Sequence, residues 1–238
     1  MTTSAFTPNP ATRLPSGRHG LTREALVASQ RSRFIDAMAQ VVAERGYPAT
    51  TVADVVERAG VSRRTFYEQF ADKEACFLAA YDVGLTAVLG RIKEAVEGVP
   101  ERLPPPLSGG HPPPPGPAAG WRERARAGVE AFLALLASEP AFARSLQVEI
   151  LTAGPAALER RAGMLTMFSG IWRNVHDGAR AEEPELPALP DEVFTVLTAG
   201  LEEMVRDCLR TRGTAALPGL GEPILRAVFA VFGADPPA

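Results

Sequence analysis

The chain has 238 residues, 46% of them hydrophobic, and a formal net charge of −3, which suits one large core or two modest ones. Two cysteines, Cys76 and Cys208, make no disulfide framework; both fall on apolar helical stripes and are expected as buried thiols. The N-terminus holds no apolar run long enough for a signal peptide, and no later stretch is read as spanning a membrane, so a soluble cytoplasmic protein is expected.

Residues 1–22 are rich in Pro, Ser, Thr and Gly and are expected to form a disordered arm. Its Arg13, Arg18 and His19 either enter a minor groove or are solvated. Leu26 to Arg45 reads as one amphipathic helix, with Phe34, Ile35, Met38, Val41 and Val42 recurring at three- and four-residue steps. Gly46 ends it, and Tyr47-Pro48 leads into the next cap.

Thr51 to Phe70, TVADVVERAGVSRRTFYEQF, reads as two short helices joined by a glycine turn. Thr51 and Asp54 have capping-box spacing, and Val52, Val55, Val56 and Ala59 recur at helical intervals. Gly60 stops the first helix, because only glycine enters a left-handed turn without steric cost. Ser62 caps a second helix that shows Arg63, Arg64, Thr65 and Tyr67 and turns Phe66 and Phe70 inward. A helix opening with two arginines and a hydroxyl suits the DNA major groove; an ordinary hairpin with a solvated basic face is the other reading. Asp72 then caps a helix running to about Val99, with Phe77, Leu78, Tyr81 and Leu85 on its apolar face.

The stretch from about Arg31 to Val83, with FIDAMAQVVAERGYPATTVADVVERAGVSRRTFYEQFADKEACFLAAYD at its heart, resembles the N-terminal DNA-binding domain of TetR-family transcriptional regulators. ERGYPATTVADVVERAGVS, then TFYEQF, then DKE before apolar residues carry the match. The resemblance implies an all-α protein: a three-helix DNA-binding domain over 23–83, its helix-turn-helix at 51–70, and a helical ligand-binding and dimerisation domain over 84–238. The DNA-facing set it implies is Thr51, Ser62, Arg63, Arg64, Thr65, Tyr67 and Lys73. Arginine pairs bidentately with guanine, so Arg63 or Arg64 reads a base, holds phosphate or is solvated. Thr65 offers a methyl to thymine or a hydroxyl to phosphate. Tyr67 resembles the family tyrosine that donates to phosphate; otherwise its ring packs on Phe34. Thr51 and Lys73 sit at helix N-termini, which attract anions.

From Arg13 to Lys73 there are ten Lys or Arg against seven Asp or Glu, a charge of +3 that leaves −6 for the rest. So modest a charge binds one half-site weakly, because phosphate neutralisation supplies much of the affinity. A homodimer on a palindromic double-stranded operator is therefore expected.

Residues 100–120, PERLPPPLSGGHPPPPGPAAG, forbid a helix and read as an extended surface loop or a docking site for a proline-binding partner; its His111 has no neighbours for a metal. Four or five helices follow. Trp121–Ser138 ends before Pro140, and a short helix spans Phe142 to Thr152. Ala156 to Arg180 carries a stripe wide enough to be buried on more than one side, with Leu158, Ala162, Leu165, Phe168, Trp172 and Val175 flanked by Met164, Met167 and Ile171. Asp191 caps a helix to Arg212, and Gly221 to Phe232 is the last. Val193, Val196, Leu197, Leu201, Met204, Val205 and Leu209, then Ile224, Leu225, Val228, Phe229 and Phe232, are expected at a four-helix dimer interface by resemblance; a protomer core is the alternative use.

A ligand is expected among Phe132, Gln147, Met167, Phe168, Trp172, Asn174, His176 and Thr198, polar groups set among large apolar ones; Glu149 and Thr195 are further polar residues in these stretches. No catalytic triad, CxxC, phosphate loop or dinucleotide motif is present, the three histidines are scattered, and no enzyme, cofactor or metal site is expected. The reading is a nucleoid-associated repressor released from its operator by an unknown small-molecule effector. Other readings are an all-α ligand-binding protein or enzyme with a vestigial helix-turn-helix, and a constitutive DNA-binding dimer.

Overall fold

The computed structural model describes Arg23–Val99 and Gly120–Asp235. The arm at 1–22 and nearly all of the proline-rich stretch, 100–119, lie outside these residues. Among the described residues all regular structure is helical: α1 Arg23–Arg45, α2 Val52–Ala59, α3 Arg63–Gln69, α4 Lys73–Glu97, α5 Trp121–Ser138, α6 Pro140–Gln147, α7 Pro155–Glu182, α8 Asp191–Thr211 and α9 Gly221–Phe232. Two 3-10 segments intervene, at Glu149–Thr152 and Thr214–Leu220.

The chain divides into two compact units. Residues through Ala87 join Leu136–Gly163 in the first; Val88–Leu135 and the chain from Met164 onward make the second. In the first unit Phe34 is fully buried and stands edge-on to Phe66 at 5.3 Å and Phe70 at 6.1 Å, which fixes α1 across α3. α4 adds Cys76, Phe77, Ala80 and Tyr81 to this core. Against it lies α6, and at Gly84 a Cβ would come within 2.9 Å of Phe142 and 3.3 Å of Leu146. Glycine there lets α4 and α6 approach closely.

In the second unit Trp121, Phe194, Phe229 and Phe232 are buried, with Trp121 edge-on to Phe229 at 5.3 Å. The N-terminus of α5 is tied to the end of α7: the Trp121 amide donates to Glu182, its indole donates to Glu183, and Arg122 also pairs with Glu183. Both cysteines are buried and free, and burial pushes the Cys76 thiol up to about 12.

Several expectations are corrected. The helix expected over Phe142 to Thr152 is two pieces. α6 begins at Pro140, whose missing N–H costs nothing at a first helical position, and the chain then tightens into a 3-10 turn at Glu149. Asp191 does not cap α8; Pro190 precedes the helix, and Asp191 pairs with Arg173 at 2.7 Å. The wide stripe on α7 is not buried on several sides. Ala157, Met164, Ser169, His176 and Ala179 form its buried line, while Leu165, Met167, Phe168, Ile171, Trp172 and Val175 are half-buried and Leu158 is exposed.

On the last two helices, Leu197, Leu201, Val205, Ile224, Leu225, Val228, Phe229 and Phe232 are buried inside the protomer, so they serve its own core. α8 keeps Val193, Met204 and Leu209 half-buried and Val196 exposed. Lys73–Glu97 and Thr214–Phe232 are long and apolar enough by length and composition to cross a membrane, which the sequence reading did not anticipate. In this fold both contribute core residues.

Candidate nucleic-acid interface

The helix-turn-helix forms as its sequence dictates. The Thr51 hydroxyl accepts from the Asp54 amide at 3.2 Å while the Asp54 carboxylate accepts from the Thr51 amide at 2.9 Å, closing a reciprocal capping box. The Thr51 hydroxyl also donates to the Asp54 carboxylate at 2.7 Å; that bond, then the one from the Thr51 amide, holds the Asp54 carboxyl below its usual range, and Arg45 adds to the effect. Gly60 takes φ +60° and ends α2. Arg33 reaches from α1 to the Gly60 carbonyl at 3.2 Å, and Arg31 lies 4.5 Å over the Phe70 ring, so two arginines brace the motif.

Ser62 caps α3 by accepting from the Thr65 amide at 3.1 Å, and its hydroxyl bonds that of Thr65 at 2.8 Å. Phe66 faces inward with no exposure. On the outer side Arg63 and Arg64 are exposed, Thr65 is half-buried, and Tyr67 retains 49% of its surface. Tyr67 packs edge-on to Phe66 at 5.5 Å, not on Phe34, and Arg63 lies 5.7 Å over its ring. The phenol oxygen accepts from Arg63 at 3.4 Å, and its O–H remains to donate.

Pairing explains much of the weak charge of this end. Arg45 pairs with Asp54 at 2.6 Å, Arg58 with Glu44 at 2.6 Å, and Arg64 with Glu68 at 3.0 Å. Arg63 is different, since it faces an aromatic ring and a phenol instead of an acid.

Lys73 does more than offer a charge at a helix start. Its ammonium donates to the carbonyls of Tyr47 at 3.0 Å and Thr50 at 2.9 Å and sits 4.1 Å over the Tyr47 ring. Two of its three donors are thus engaged by backbone carbonyls. The sequence placed Glu149 only among the polar residues near a ligand, and its contact with the Tyr47 loop went unread. This buried carboxylate accepts the Tyr47 amide at 2.9 Å from 102 residues away, and such a separation leaves no local signal.

The residues nominated for a ligand do not share one unit. Gln147 is buried in the first; Phe132, Met167, Phe168, Trp172, Asn174, His176 and Thr198 belong to the second. Phe132 and Phe168 approach to 6.4 Å. Thr198 is buried and spends its hydroxyl on Phe194 O at 2.8 Å, while accepting from Ser169 at 3.2 Å. His176 is buried between Phe194 and Phe232, its Nε2 without a hydrogen-bond partner, and burial lowers its pKa. Asn174 is exposed.

An exposed recognition helix, capped by Ser62 and set on a tight aromatic core, defines a helix-turn-helix DNA-binding protein. Residues 34–80 match the family model described as bacterial regulatory proteins, tetR family. The HTH-type transcriptional regulator EthR of Mycolicibacterium smegmatis is 26% identical over 196 residues, which is 81% of this chain and 75% of that protein. Among solved structures, the fatty acid degradation regulator FadR from Bacillus halodurans aligns with a TM-score of 0.68 at 17% identity, covering 84% of this chain and 94% of that one. FadR from Bacillus subtilis, in complex with stearoyl-CoA, aligns at 0.66 with 18% identity, covering 82% and 96%. Residues 34–80 thus carry a tetR-type DNA-binding domain, and the chain is a DNA-binding transcriptional regulator similar over most of its length to regulators of that family.

Proposed function

We propose that the protein is a homodimeric repressor that binds a palindromic operator in the cytoplasm and is released by a small amphipathic ligand. The observation that carries the DNA half is the exposed face of α3, where Arg63 and Arg64 stand at the N-terminal end from which recognition helices reach base edges. Thr51, Ser62, Thr65, Tyr67 and Lys73 are assigned to backbone contacts around them. In this reading 23–83 is the DNA-binding domain and 84–238 carries the ligand and dimer functions.

Phe132, Met167, Phe168 and Trp172 are only half-buried, whereas Trp121, Phe194, Phe229 and Phe232 of the same unit are closed away; a ligand with an apolar chain would complete the burial of the first four. The stearoyl-CoA held by the Bacillus subtilis FadR is an example of such chemistry on this fold. Ligand binding would shift the two recognition helices out of the spacing that two half-sites demand.

A mobility-shift assay on the DNA flanking the gene, at low salt and with stearoyl-CoA as probe, tests both halves. Retardation reversed by the probe is the expected result. No retardation refutes the repressor, and retardation that neither this probe nor other amphiphiles reverse favours a constitutive DNA-binding dimer.

A further inference from the structure

The loop between α1 and α2 is held by charged groups on both sides of one residue, Tyr47. Gly46 takes φ +79°, and the Thr50 hydroxyl donates back to its carbonyl at 2.9 Å. The Tyr47 amide donates to Glu149 Oε2 at 2.9 Å, and the Tyr47 carbonyl accepts from the Lys73 ammonium at 3.0 Å. The next residue, Pro48, has no N–H; the Gly46 amide donates to Val42 at 2.8 Å and the Thr50 amide to Tyr47 at 3.2 Å, so the Tyr47 bond is the donor contact that leaves the turn for a distant segment.

The Glu149 side chain is 6% exposed and is neutralised by Arg144 Nε at 3.1 Å. A Cβ on Gly46 would lie 3.4 Å from the same Glu149 oxygen, so the carboxylate is seated directly on the turn. The loop leads straight into Thr51, the cap of α2, while Lys73 opens α4. Both are assigned to phosphate above.

We propose that Glu149 is a positioning residue for operator binding, and that it ties the loop Gly46–Thr50 to the segment Leu136–Gly163. The inference rests on the regulator reading of the preceding section. With the Tyr47 peptide clamped, Lys73 keeps its two carbonyl partners and its third donor is aimed; without the clamp, the loop and the ammonium lose their common anchor. The clamping segment continues on both sides into helices, α5 and α7, whose other ends belong to the second unit. A change in that unit therefore has a route along the chain to Glu149 and, through its hydrogen bond, to the loop that precedes the helix-turn-helix.

The test uses the full-length protein and the duplex it selects from a random pool. Glu149→Leu, which leaves the buried Tyr47 amide without an acceptor, is expected to weaken binding about tenfold. It should also lower the slope of log affinity against log salt by about one phosphate contact and speed hydrogen exchange of the 46–51 amides. Loss of folded protein alone lowers the active fraction and leaves that slope unchanged. Glu149→Gln keeps an acceptor oxygen and is expected to stay within about threefold of the unaltered protein with its salt slope intact.

If Glu149→Leu does not fold, Arg144→Met, at a half-exposed site, should move the salt slope and the amide exchange in the same directions by a smaller factor. Affinity within twofold of the unaltered protein, with unchanged slope and exchange in the folded variants, overturns the proposal. Failure of the unaltered protein to select any sequence overturns it together with the regulator reading.

Discussion

Arg64 donates to Glu68 at 3.0 Å, one turn along the recognition helix, whereas its neighbour Arg63 lies along Tyr67. The Arg64 side chain is 90% exposed, and exposed pairs of this kind contribute about 0.3–0.5 kcal/mol. DNA can displace such a pair at little cost, yet Glu68 still sets a negative charge near the phosphates. Glu68→Gln should therefore tighten binding to all duplexes alike. Arg63→Ala should cost about 1–3 kcal/mol and relax one base position if Arg63 reads a base, and uniform weakening would mark a phosphate contact. Titrations on the selected operator and on single-base variants separate these outcomes.

Lys73 occupies a structural position and is also proposed above for the DNA backbone. Removing its ammonium leaves the carbonyls of Tyr47 and Thr50 without that donor and takes a cation off the Tyr47 ring. Lys73→Met should lower stability by about 1–2 kcal/mol as well as weaken operator binding. Arg63→Ala should weaken binding alone. A thermal melt of each variant beside a binding titration distinguishes the two; a Lys73→Met protein with an unshifted melt would remove the bracing role.

The helix-turn-helix was legible because its determinants are local. Capping at Thr51 and Ser62, the glycine turn at 60 and the inward Phe66 each act within a few residues. Its flanking helices were read to within three residues at their starts. What failed depended on distant packing. A wide apolar stripe on α7 says that a surface is hydrophobic, not that anything covers it. The stripes on α8 and α9 likewise fit a protomer core and a dimer seam equally well, and burial assigns most of them to the core. The Glu149–Tyr47 bond joins residues whose sequence context predicts no meeting, so only the fold reveals it.

Stability should fall as pH rises through the range of Asp36. This carboxyl on α1 has a buried oxygen without a hydrogen-bond partner; burial, then Glu139, pushes it up to about 6 from a usual 3.8. Between about pH 4 and 6 the folded state binds the proton and the unfolded chain has lost it, so stability declines over that window and levels off above it. Asp36→Asn should remove the decline. Since Asp36 is partly exposed, the gain at pH 8 is on the order of 1 kcal/mol. His176 acts with the opposite sign: burial lowers its pKa, so its contribution is lost as pH falls below about 6.5. Melts of the Asp36→Asn protein should retain that acid-side loss, and a decline persisting between pH 4 and 6 would count against Asp36.

The dimer is best tested at Val196. It is 72% exposed on α8, and Ala199, Gly200 and Glu203 follow it on the same outer face at helical spacing. A Cβ on Gly200 would meet nothing within 4 Å, so this face has room for a partner helix to approach closely. Val196→Arg falls at an exposed site and should leave the melt nearly unchanged. At a self-complementary interface the substitution sets two like charges near the twofold axis, and each copy repels the other. Light scattering should then report a monomer. Operator binding should fall steeply, because a lone half-site loses the avidity of the second and the domain's own charge is small. A Val196→Arg protein that remains dimeric with full affinity would place the interface elsewhere, whereas a monomer with full affinity would undo the energetic case for pairing.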